Sequence, residues 1–319
     1  MENLIKIENL KKYFWTERGF FQNKEAVKAV DDISFYIKKG EILGLVGESG
    51  CGKTTFGKII LRLIDPTSGS IYFDGHNITN LKQKEMKIFR RKMMLIYQDP
   101  FGSLDPRMTI GASIAEPIVV HNIVSKKERE DRVIELMKKV GLTQDQINRY
   151  PHEFSGGQRQ RIGIARALAT NPEFIVADEP VSALDVSIQA QIINLLKDLQ
   201  NEFGLTLLFI THDLSVIKHI SNRVVVMYIG KIVEIAPKEE LFDDPKHPYT
   251  KALLSAIPTP NPKFRKKEKI LMGEIPSSIN PPKGCRFHPR CSRHTQKCSQ
   301  TEPELIEFRK EHFVACHHY

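Results

Sequence analysis

The segment Gly47-Glu-Ser-Gly-Cys-Gly-Lys-Thr54 has the residue types and spacing of a loop that binds nucleotide phosphates. Its glycines let the backbone turn so that consecutive N–H groups point at phosphate oxygens, and the following helix adds the positive end of its dipole. Lys53 supplies a cation to the β- and γ-phosphates, and the Thr54 hydroxyl is suited to bind Mg²⁺. The expected nucleotide contacts are Gly47, Ser49, Gly50, Cys51, Gly52, Lys53, Thr54 and Thr55. A turn that only links a strand to a helix is the alternative, but the Lys-Thr pair favours phosphate binding.

Two adjacent carboxylates, Asp178 and Glu179, end an apolar run that begins at Phe174. A buried strand with this ending delivers Asp178 to the edge of the sheet where Mg²⁺ sits beside the phosphates. Glu179 is then suited to polarise an attacking water, because phosphoryl transfer depends mainly on positioning and charge stabilisation. A solvated acidic pair is the alternative for such a strand by itself. The phosphate loop in the same chain favours the catalytic interpretation.

A second candidate anion site lies between these two motifs, at Phe154-Ser-Gly-Gly-Gln158. Ser155 is suited to cap the helix that follows, and the two glycines permit close approach of the backbone to a ligand. The N–H groups at the start of that helix attract an anion. Taken alone, such a turn is usually only a helix cap.

The elements that position these motifs alternate between short apolar strands and amphipathic helices. The predicted strands are residues 33–37, 42–46, 94–97, 174–177, 205–210 and 224–228. The predicted helices are residues 56–63, 126–140, 158–169 and 187–203. This alternation predicts an α/β fold in which helices cover both faces of a parallel sheet.

The Ser-Gly-Gly-Gln turn resembles the Leu-Ser-Gly-Gly-Gln signature of the nucleotide-binding subunits of ABC transporters, with Phe154 in place of the leucine. The resemblance covers essentially the whole chain. It implies a P-loop NTPase core of the ABC type, with a helical subdomain at about residues 99–170. It also implies a head-to-tail dimer, in which the signature of one subunit closes on the ATP held by the phosphate loop of the other. Ser155, Gly157 and Gln158 would then contact that ATP.

Four further residues match the same family in the expected order. Tyr13 resembles the aromatic residue that stacks on adenine, and Gln98 resembles the glutamine that senses Mg²⁺ and the attacking water. Asp185 lies in a match to the loop that crosses between subunits, and His212 resembles the switch histidine near the γ-phosphate. Each has an ordinary structural alternative by itself, as a core aromatic, a polar loop residue or a strand-end histidine. Their joint order around the phosphate loop favours the family roles.

The C-terminal segment indicates which group within the family the chain resembles. Residues 246–257, Gly273-Glu-Ile-Pro, Pro281-Pro-Lys-Gly-Cys285 and Arg290-Cys291 resemble the extension of importers for dipeptides, oligopeptides and nickel. Residues 98–107 resemble the second of the two ATPases that such systems pair, which implies a related ATPase as partner, or a homodimer in isolation. Two transmembrane permeases and an extracellular solute-binding protein are the other implied partners.

We expect an ABC ATPase domain over residues 1–257, and a Pro-rich linker with a cysteine-containing extension over residues 258–319.

Four of the five cysteines, Cys285, Cys291, Cys298 and Cys316, cluster near the C-terminus. In a reducing compartment such clustering favours metal ligation over disulfides. The spacing lacks the Cys-x-x-Cys pair that most structural zinc sites contain. Four thiolates also suit a four-iron four-sulfur cluster, which the resemblance to this importer class implies as well. We therefore expect an iron–sulfur cluster, with zinc and free structural cysteines as the alternatives.

Composition and charge are typical of a folded protein with an acidic partner. The chain has 319 residues, of which 41% are hydrophobic and 27% charged, and its net charge of +9 suits nucleotide phosphate, nucleic acid or an anionic membrane. Its apolar runs are far shorter than the roughly 20 residues that span a bilayer, and its N-terminus lacks the pattern of a secretory signal.

Together with the resemblance, these features predict an ATPase on the cytoplasmic face of the membrane that energises peptide import. The alternatives are nickel as cargo and a soluble ABC-type ATPase acting on nucleic acid; no nucleic acid partner is expected, because the sequence contains no recognised nucleic-acid module.

Overall fold

The computed structural model describes residues 2–16, 25–257 and 273–319. The chain divides into two compact units, Met1–Thr79 with Thr211–Tyr319, and Asn80–Ile210. The helices are α1 (Lys53–Ile60), α2 (Gln83–Lys92), α3 (Ile110–Val120), α4 (Arg129–Lys139), α5 (Gly156–Leu168), α6 (Val186–Phe203), α7 (Leu214–Ile220), α8 (Lys238–Asp243), α9 (Pro248–Ser255) and α10 (Gln296–Gln300). The strands are β1 (Asn3–Thr16), β2 (Glu25–Lys38), β3 (Ile42–Val46), β4 (Ser68–Phe73), β5 (His76–Asn77), β6 (Met93–Ile96), β7 (Phe174–Asp178), β8 (Thr206–Ile210), β9 (Arg223–Tyr228), β10 (Lys231–Pro237), β11 (Ile306–Arg309) and β12 (His312–Val314).

The first unit, which holds the N- and C-terminal parts of the chain, contains strands of two sheets. One sheet is antiparallel and has the order β2-β1-β4-β5. The other has the order β11-β12-β10-β9-β3 in this unit, with β3 and β9 parallel and the remaining neighbours antiparallel. All five residues of β3 are buried. This matches a strand covered on both faces, and it positions the phosphate loop that follows.

The antiparallel sheet differs from the parallel sheet that the sequence predicts. Strand β2 is much longer than the predicted residues 33–37, and buried and exposed residues alternate along part of it. Such a strand is half-buried and has a period of two residues, whereas the prediction rested on continuous apolar runs. Continuous runs identify strands buried on both faces and miss those that expose one face.

The second unit contains the parallel strands β8, β7 and β6, in that order, together with the helices α2 to α6. Strand β7 is buried at all five positions. Three predicted helices are present here as α4, α5 and α6, and the fourth is α1 of the first unit; their bounds shift by up to three residues. The unit therefore joins the expected parallel strands to the helices that carry the signature turn.

The predicted domain boundary at residue 258 lies outside the described residues, as do residues 258–272 of the predicted linker. From residue 273 the extension belongs to the first unit, where β12 pairs with β10. The proposed division at residue 258 stays a prediction. No helix in the described part of the chain combines the length and the apolar character that crossing a bilayer requires.

Candidate nucleotide site

The predicted phosphate loop, residues 47–54, follows β3 directly and includes the first two residues of α1, in the first unit. Gly47 and Gly52 have positive φ angles of 157° and 108°. A Cβ atom on Gly47 would lie 2.2 Å from the carbonyl oxygen of Met227, and one on Gly52 would lie 2.0 Å from that of Ala29. Both positions therefore require glycine for their backbone angles and for the close approach of neighbouring strands.

Lys53 is the first residue of α1, and only 5% of it is exposed. Its Nζ donates hydrogen bonds to the carbonyl oxygens of Gly47, at 2.8 Å, and Glu48, at 3.0 Å. The ammonium group is thus held against the loop that the sequence assigns to phosphate. Cys51 is also buried, and burial raises the pKa of its thiol. A neutral thiol is a poor nucleophile, so Cys51 is suited to pack inside the turn and not to act as a reactive group.

Tyr13 lies on β1, and its hydroxyl donates a hydrogen bond to the carboxylate of Asp31. Burial and this hydrogen bond raise the pKa of Tyr13. Asp31 also accepts a hydrogen bond from Arg286, and the Lys28 ammonium lies 5.8 Å from the centre of the Tyr13 ring. These contacts fix the phenol end of Tyr13. Its predicted role in stacking on adenine stays a prediction.

His212 follows a residue that is hydrogen-bonded to the strand ahead of the phosphate loop. The N–H of Thr211 donates to the carbonyl oxygen of Leu45 at 3.2 Å. The N–H of Asp213 donates to the Thr211 hydroxyl at 3.0 Å, and His212 itself is exposed. In the first unit, the histidine thus lies immediately after a residue bonded to β3.

Gln98 and Glu179 meet within the second unit. Gln98 Nε2 donates a hydrogen bond to Glu179 Oε2 at 3.0 Å. Asp178 is the buried last residue of β7, and Glu179 follows it with a φ of 45° in the left-handed region. The N–H of Glu179 donates to the carbonyl oxygen of Ile210 at 2.9 Å, which holds this uncommon backbone conformation in place.

The signature turn caps the start of α5. Ser155 Oγ accepts a hydrogen bond from the N–H of Gln158 at 3.3 Å, and Gln158 Oε1 accepts one from the N–H of Ser155 at 3.0 Å. This is a reciprocal capping box. A Cβ on Gly157 would lie 2.5 Å from Cγ2 of Ile188, so α5 begins in close contact with α6. Phe154 is buried. It is apolar, like the leucine of the signature, so burial suits either residue at this position.

The turn before α6 is held by a side chain of that helix. Gln189 Nε2 donates to the carbonyl oxygens of Val181 and Leu184, each at 3.0 Å. Asp185, the residue before α6, is exposed.

The predicted site residues are divided between the two units. The first unit contains Tyr13, Gly47, Ser49, Gly50, Cys51, Gly52, Lys53, Thr54, Thr55 and His212, and the second contains Gln98, Ser155, Gly157, Gln158, Asp178, Glu179 and Asp185.

Two residues that the sequence analysis did not assign to the site contact the phosphate loop. Arg290 donates hydrogen bonds to both carboxylate oxygens of Glu48, at 2.8 and 3.1 Å. The hydroxyl of Tyr249 accepts a hydrogen bond from the N–H of Glu48 at 2.9 Å. These partners are 242 and 201 residues from Glu48 along the chain. The spacing of residues in a motif carries no signal for contacts at such separations.

The four C-terminal cysteines line one cavity of about 10 Å³. The N–H of Cys285 donates to the carbonyl oxygen of Cys298 at 2.8 Å. Burial raises the pKa of Cys285 to about 11 and also raises the pKa values of Cys291 and Cys316. The other residues that line the cavity are His247, Pro248, Phe287, His288, His317 and His318.

A donor set of four thiols suits an iron–sulfur cluster or zinc by its chemistry. Among the residues that the structure describes, however, no group of three or more His, Cys, Asp or Glu side chains is arranged to hold a metal ion. The structure thus brings the predicted ligands to one cavity, while the metal itself stays a prediction.

Two family models match parts of this chain. Residues 30–182 match the family model described as ABC transporter, and residues 233–298 match the model described as oligopeptide/dipeptide transporter, C-terminal region. The oligopeptide transport ATP-binding protein AppF of Bacillus subtilis (strain 168) is 54% identical over 322 residues, which cover 100% of this chain and 98% of AppF.

Two solved structures share the fold. The dimeric ATP-binding cassette MJ0796, in a post-hydrolysis state bound to ADP and Pi, is 32% identical with a TM-score of 0.66, over 73% of this chain and 98% of that one. The protein cbiO1 from Clostridium perfringens, part of the ABC transporter complex cbiONQ, is 26% identical with a TM-score of 0.66, over 76% and 92% of the two chains. The expected ABC cassette fold is therefore confirmed. The chain belongs to the ATP-binding proteins of ABC transporters, in the group that carries the oligopeptide/dipeptide transporter C-terminal region.

Proposed function

We propose that this chain is the ATP-hydrolysing subunit of a membrane transporter that imports dipeptides or oligopeptides. The observation that carries the proposal is its similarity, over the full length of the chain, to AppF, whose name assigns that protein to oligopeptide transport. The match of residues 233–298 to the C-terminal region of oligopeptide/dipeptide transporters supports the same cargo.

The phosphate loop and Lys53 bind the triphosphate through backbone N–H groups and the ammonium group. Thr54 and Gln98 would hold Mg²⁺, and Asp178 would add a carboxylate to the same region; when bound, the ion would neutralise phosphate charge. Glu179 accepts a proton from the water that attacks the γ-phosphorus. The bond from the γ-phosphorus to the bridging oxygen breaks, and ADP and inorganic phosphate leave.

The remaining site residues recognise the two ends of the nucleotide. Tyr13 stacks on the adenine ring, and His212 contacts the γ-phosphate. Support for these two roles comes from the order of the motifs, from the hydrogen bond that Tyr13 donates to Asp31, and from the position of His212 directly after Thr211, whose N–H is bonded to Leu45 of β3.

The working ATPase is a head-to-tail dimer. Ser155, Gly157 and Gln158 of one subunit contact the ATP held by the phosphate loop of its partner, and Asp185 lies at the crossing between them. The capped start of α5 supports this role, because N–H groups at a helix start bind anions. The dimeric state of MJ0796 bound to ADP and Pi is consistent with it. We infer that the partner is a related second ATPase, since residues 98–107 resemble the second member of such pairs.

Two transmembrane permeases and an extracellular solute-binding protein complete the transporter, and the ATPase is attached to the cytoplasmic face of the membrane. Tyr97 and Phe101, which flank the Gln98 region, support a permease contact. The two residues are 45% and 63% exposed and lie four positions apart in the chain, and exposed large apolar residues near a site are suited to contact a protein partner.

We further propose that Cys285, Cys291, Cys298 and Cys316 hold a four-iron four-sulfur cluster. Their convergence on one cavity supports this assignment. Iron and sulfide analysis of anaerobically purified protein tests it, with the variants Cys291→Ser and Cys298→Ser as controls. Brown colour with bound iron that both variants lose supports the cluster. Bound zinc, or no bound metal, overturns it in favour of a zinc site or free thiols.

Uptake of a labelled oligopeptide tests the function. The chain is reconstituted in vesicles with its two permeases, its paired ATPase and the solute-binding protein, next to the same assembly with the Lys53→Ala chain. ATP-dependent uptake that the variant loses supports peptide import. Uptake of Ni²⁺ without uptake of peptide assigns nickel as the cargo. Stimulation of the ATPase by duplex DNA, without uptake of either, favours the nucleic-acid alternative.

A further inference from the structure

We propose that Arg290, in the cysteine-containing extension, is a positioning residue of the nucleotide site. It neutralises Glu48 within the phosphate loop and thereby sets the affinity of the loop for the triphosphate. The inference deepens the proposed function and rests on ATP binding at that loop. It assigns to the extension a role in binding nucleotide.

The contact between the two residues is bidentate and shielded. The guanidinium of Arg290 donates to both carboxylate oxygens of Glu48, at 2.8 and 3.1 Å. The two side chains are 6% and 20% exposed. The guanidinium also donates to the hydroxyl of Tyr228 at 3.3 Å. Bidentate arginine–carboxylate pairs with little solvent exposure are among the stronger charge pairs in proteins.

The position of Glu48 makes this pair relevant to the ligand. Glu48 is the second residue of the phosphate loop, directly after Gly47. Its carbonyl oxygen accepts a hydrogen bond from Lys53 Nζ at 3.0 Å, and its N–H is bound by the hydroxyl of Tyr249. A loop that binds a polyanion therefore carries a carboxylate of its own. Without Arg290 this partly buried charge has lost its bidentate partner, and it repels the incoming phosphates.

A second arginine anchors the extension to the same region. Arg286 donates to the carboxylate of Asp31 and to the carbonyl oxygen of Ile229. Gly230, which follows Ile229 in the chain, donates its N–H to the carbonyl oxygen of Cys51 in the phosphate loop at 2.8 Å. Arg286 directly follows Cys285, and Arg290 directly precedes Cys291. The segment between these two cysteines thus contacts the loop directly through Arg290, and through Arg286 it contacts Ile229, the residue before Gly230.

Calorimetric titration of the full chain with ATP and with ADP tests the proposal. We expect Arg290→Gln to weaken ATP binding by about tenfold, because the Glu48 carboxylate loses its counter-charge. The variant weakens ADP binding less, since the repulsion grows with the charge of the ligand. The double variant Glu48→Gln/Arg290→Gln restores ATP affinity, because it removes the repelling charge. Arg293→Gln, at an exposed arginine of the same extension, serves as the matched control and leaves the affinity unchanged.

Equal ATP affinities of the wild type and the Arg290→Gln variant would overturn the proposal. So would a loss of affinity that the double variant does not restore, or one that is equal for ATP and ADP, because general disruption of the extension produces that result. The measurement concerns nucleotide binding alone. A failure of peptide uptake would therefore overturn the proposed cargo and leave the assignment of Arg290 standing.

Discussion

Gln98 and Glu179 are joined by a hydrogen bond of 3.0 Å between Nε2 and Oε2, although 81 residues separate them in the chain. Gln98 follows β6, and Glu179 follows β7, its parallel neighbour. The carboxyl ends of parallel strands lie at one edge of a sheet, which is where such folds place their ligands. The left-handed φ of Glu179 then turns the chain directly after Asp178. Two residues proposed to act on the attacking water thus converge.

Replacement of the proposed general base should separate ATP binding from hydrolysis. We expect Glu179→Gln to bind ATP with nearly wild-type affinity and to lose ATPase activity by at least about two orders of magnitude, because the amide cannot accept the proton of the water. Steady-state ATPase assays and nucleotide titrations measure the two effects. Glu202→Gln, at an exposed position on α6, is the matched control. Hydrolysis at the wild-type rate by Glu179→Gln would contradict the assigned role.

Replacement of the loop lysine should weaken binding itself. Lys53 Nζ lies 2.8 Å from the carbonyl oxygen of Gly47, and it is the cation of the loop. We expect Lys53→Ala to weaken ATP binding by about tenfold or more, because hydrogen bonds to charged phosphate oxygens are lost. Titration with ATP measures the change, next to Lys58→Ala on the same helix. A similar loss in both variants would point to damage of α1 in general.

The signature serine allows capping to be separated from contact with ATP. Ser155→Ala removes the hydroxyl that accepts the N–H of Gln158, so we expect the free energy of unfolding to fall by about 1 kcal/mol. Ser155→Gly costs only a few tenths of a kcal/mol, because glycine is tolerated at the N-cap. If Ser155 contacts ATP, both variants lose ATPase activity of the dimer. Wild-type activity in Ser155→Gly would reduce the serine to a helix cap.

His247 should make the stability of the protein depend on pH. It is fully buried at the start of α9, and burial lowers its pKa from 6.5 to about 4, while Glu234 opposes the shift. Above pH 6.5 the histidine is neutral in both states, and its contribution to stability is complete. As the pH falls from 6.5 to about 4, the unfolded chain binds a proton that the folded chain does not, so stability is lost.

The variant His247→Asn tests this dependence, because asparagine keeps an acceptor for the N–H of Tyr249 and does not titrate. We expect its unfolding free energy to fall less than that of the wild type between pH 6.5 and 4, by up to about 3 kcal/mol. Chemical denaturation at several pH values gives the measurement. His219→Asn, at an exposed position, should retain the wild-type slope. Parallel pH profiles for the wild type and His247→Asn would be inconsistent with a buried neutral His247.

The sequence by itself determined the phosphate loop, the carboxylate pair and the signature turn. Each is a local pattern in which the chemistry depends on neighbours within a few residues. The strands at residues 42–46 and 174–177 were predictable for a similar reason, because a strand buried on both faces is apolar throughout. The order of these motifs was enough to identify the family, which the comparisons then confirmed.

Only the tertiary structure decided which distant residues complete the site. Strand β1 is paired on both sides in an antiparallel sheet, four cysteines face one cavity, and Arg290 binds Glu48 across 242 residues of chain. Periodicity and motif spacing report on neighbours along the chain, because they follow from the repeat of a helix or strand. Pairing between remote segments follows from how whole elements pack, so the same local patterns are compatible with many different partners.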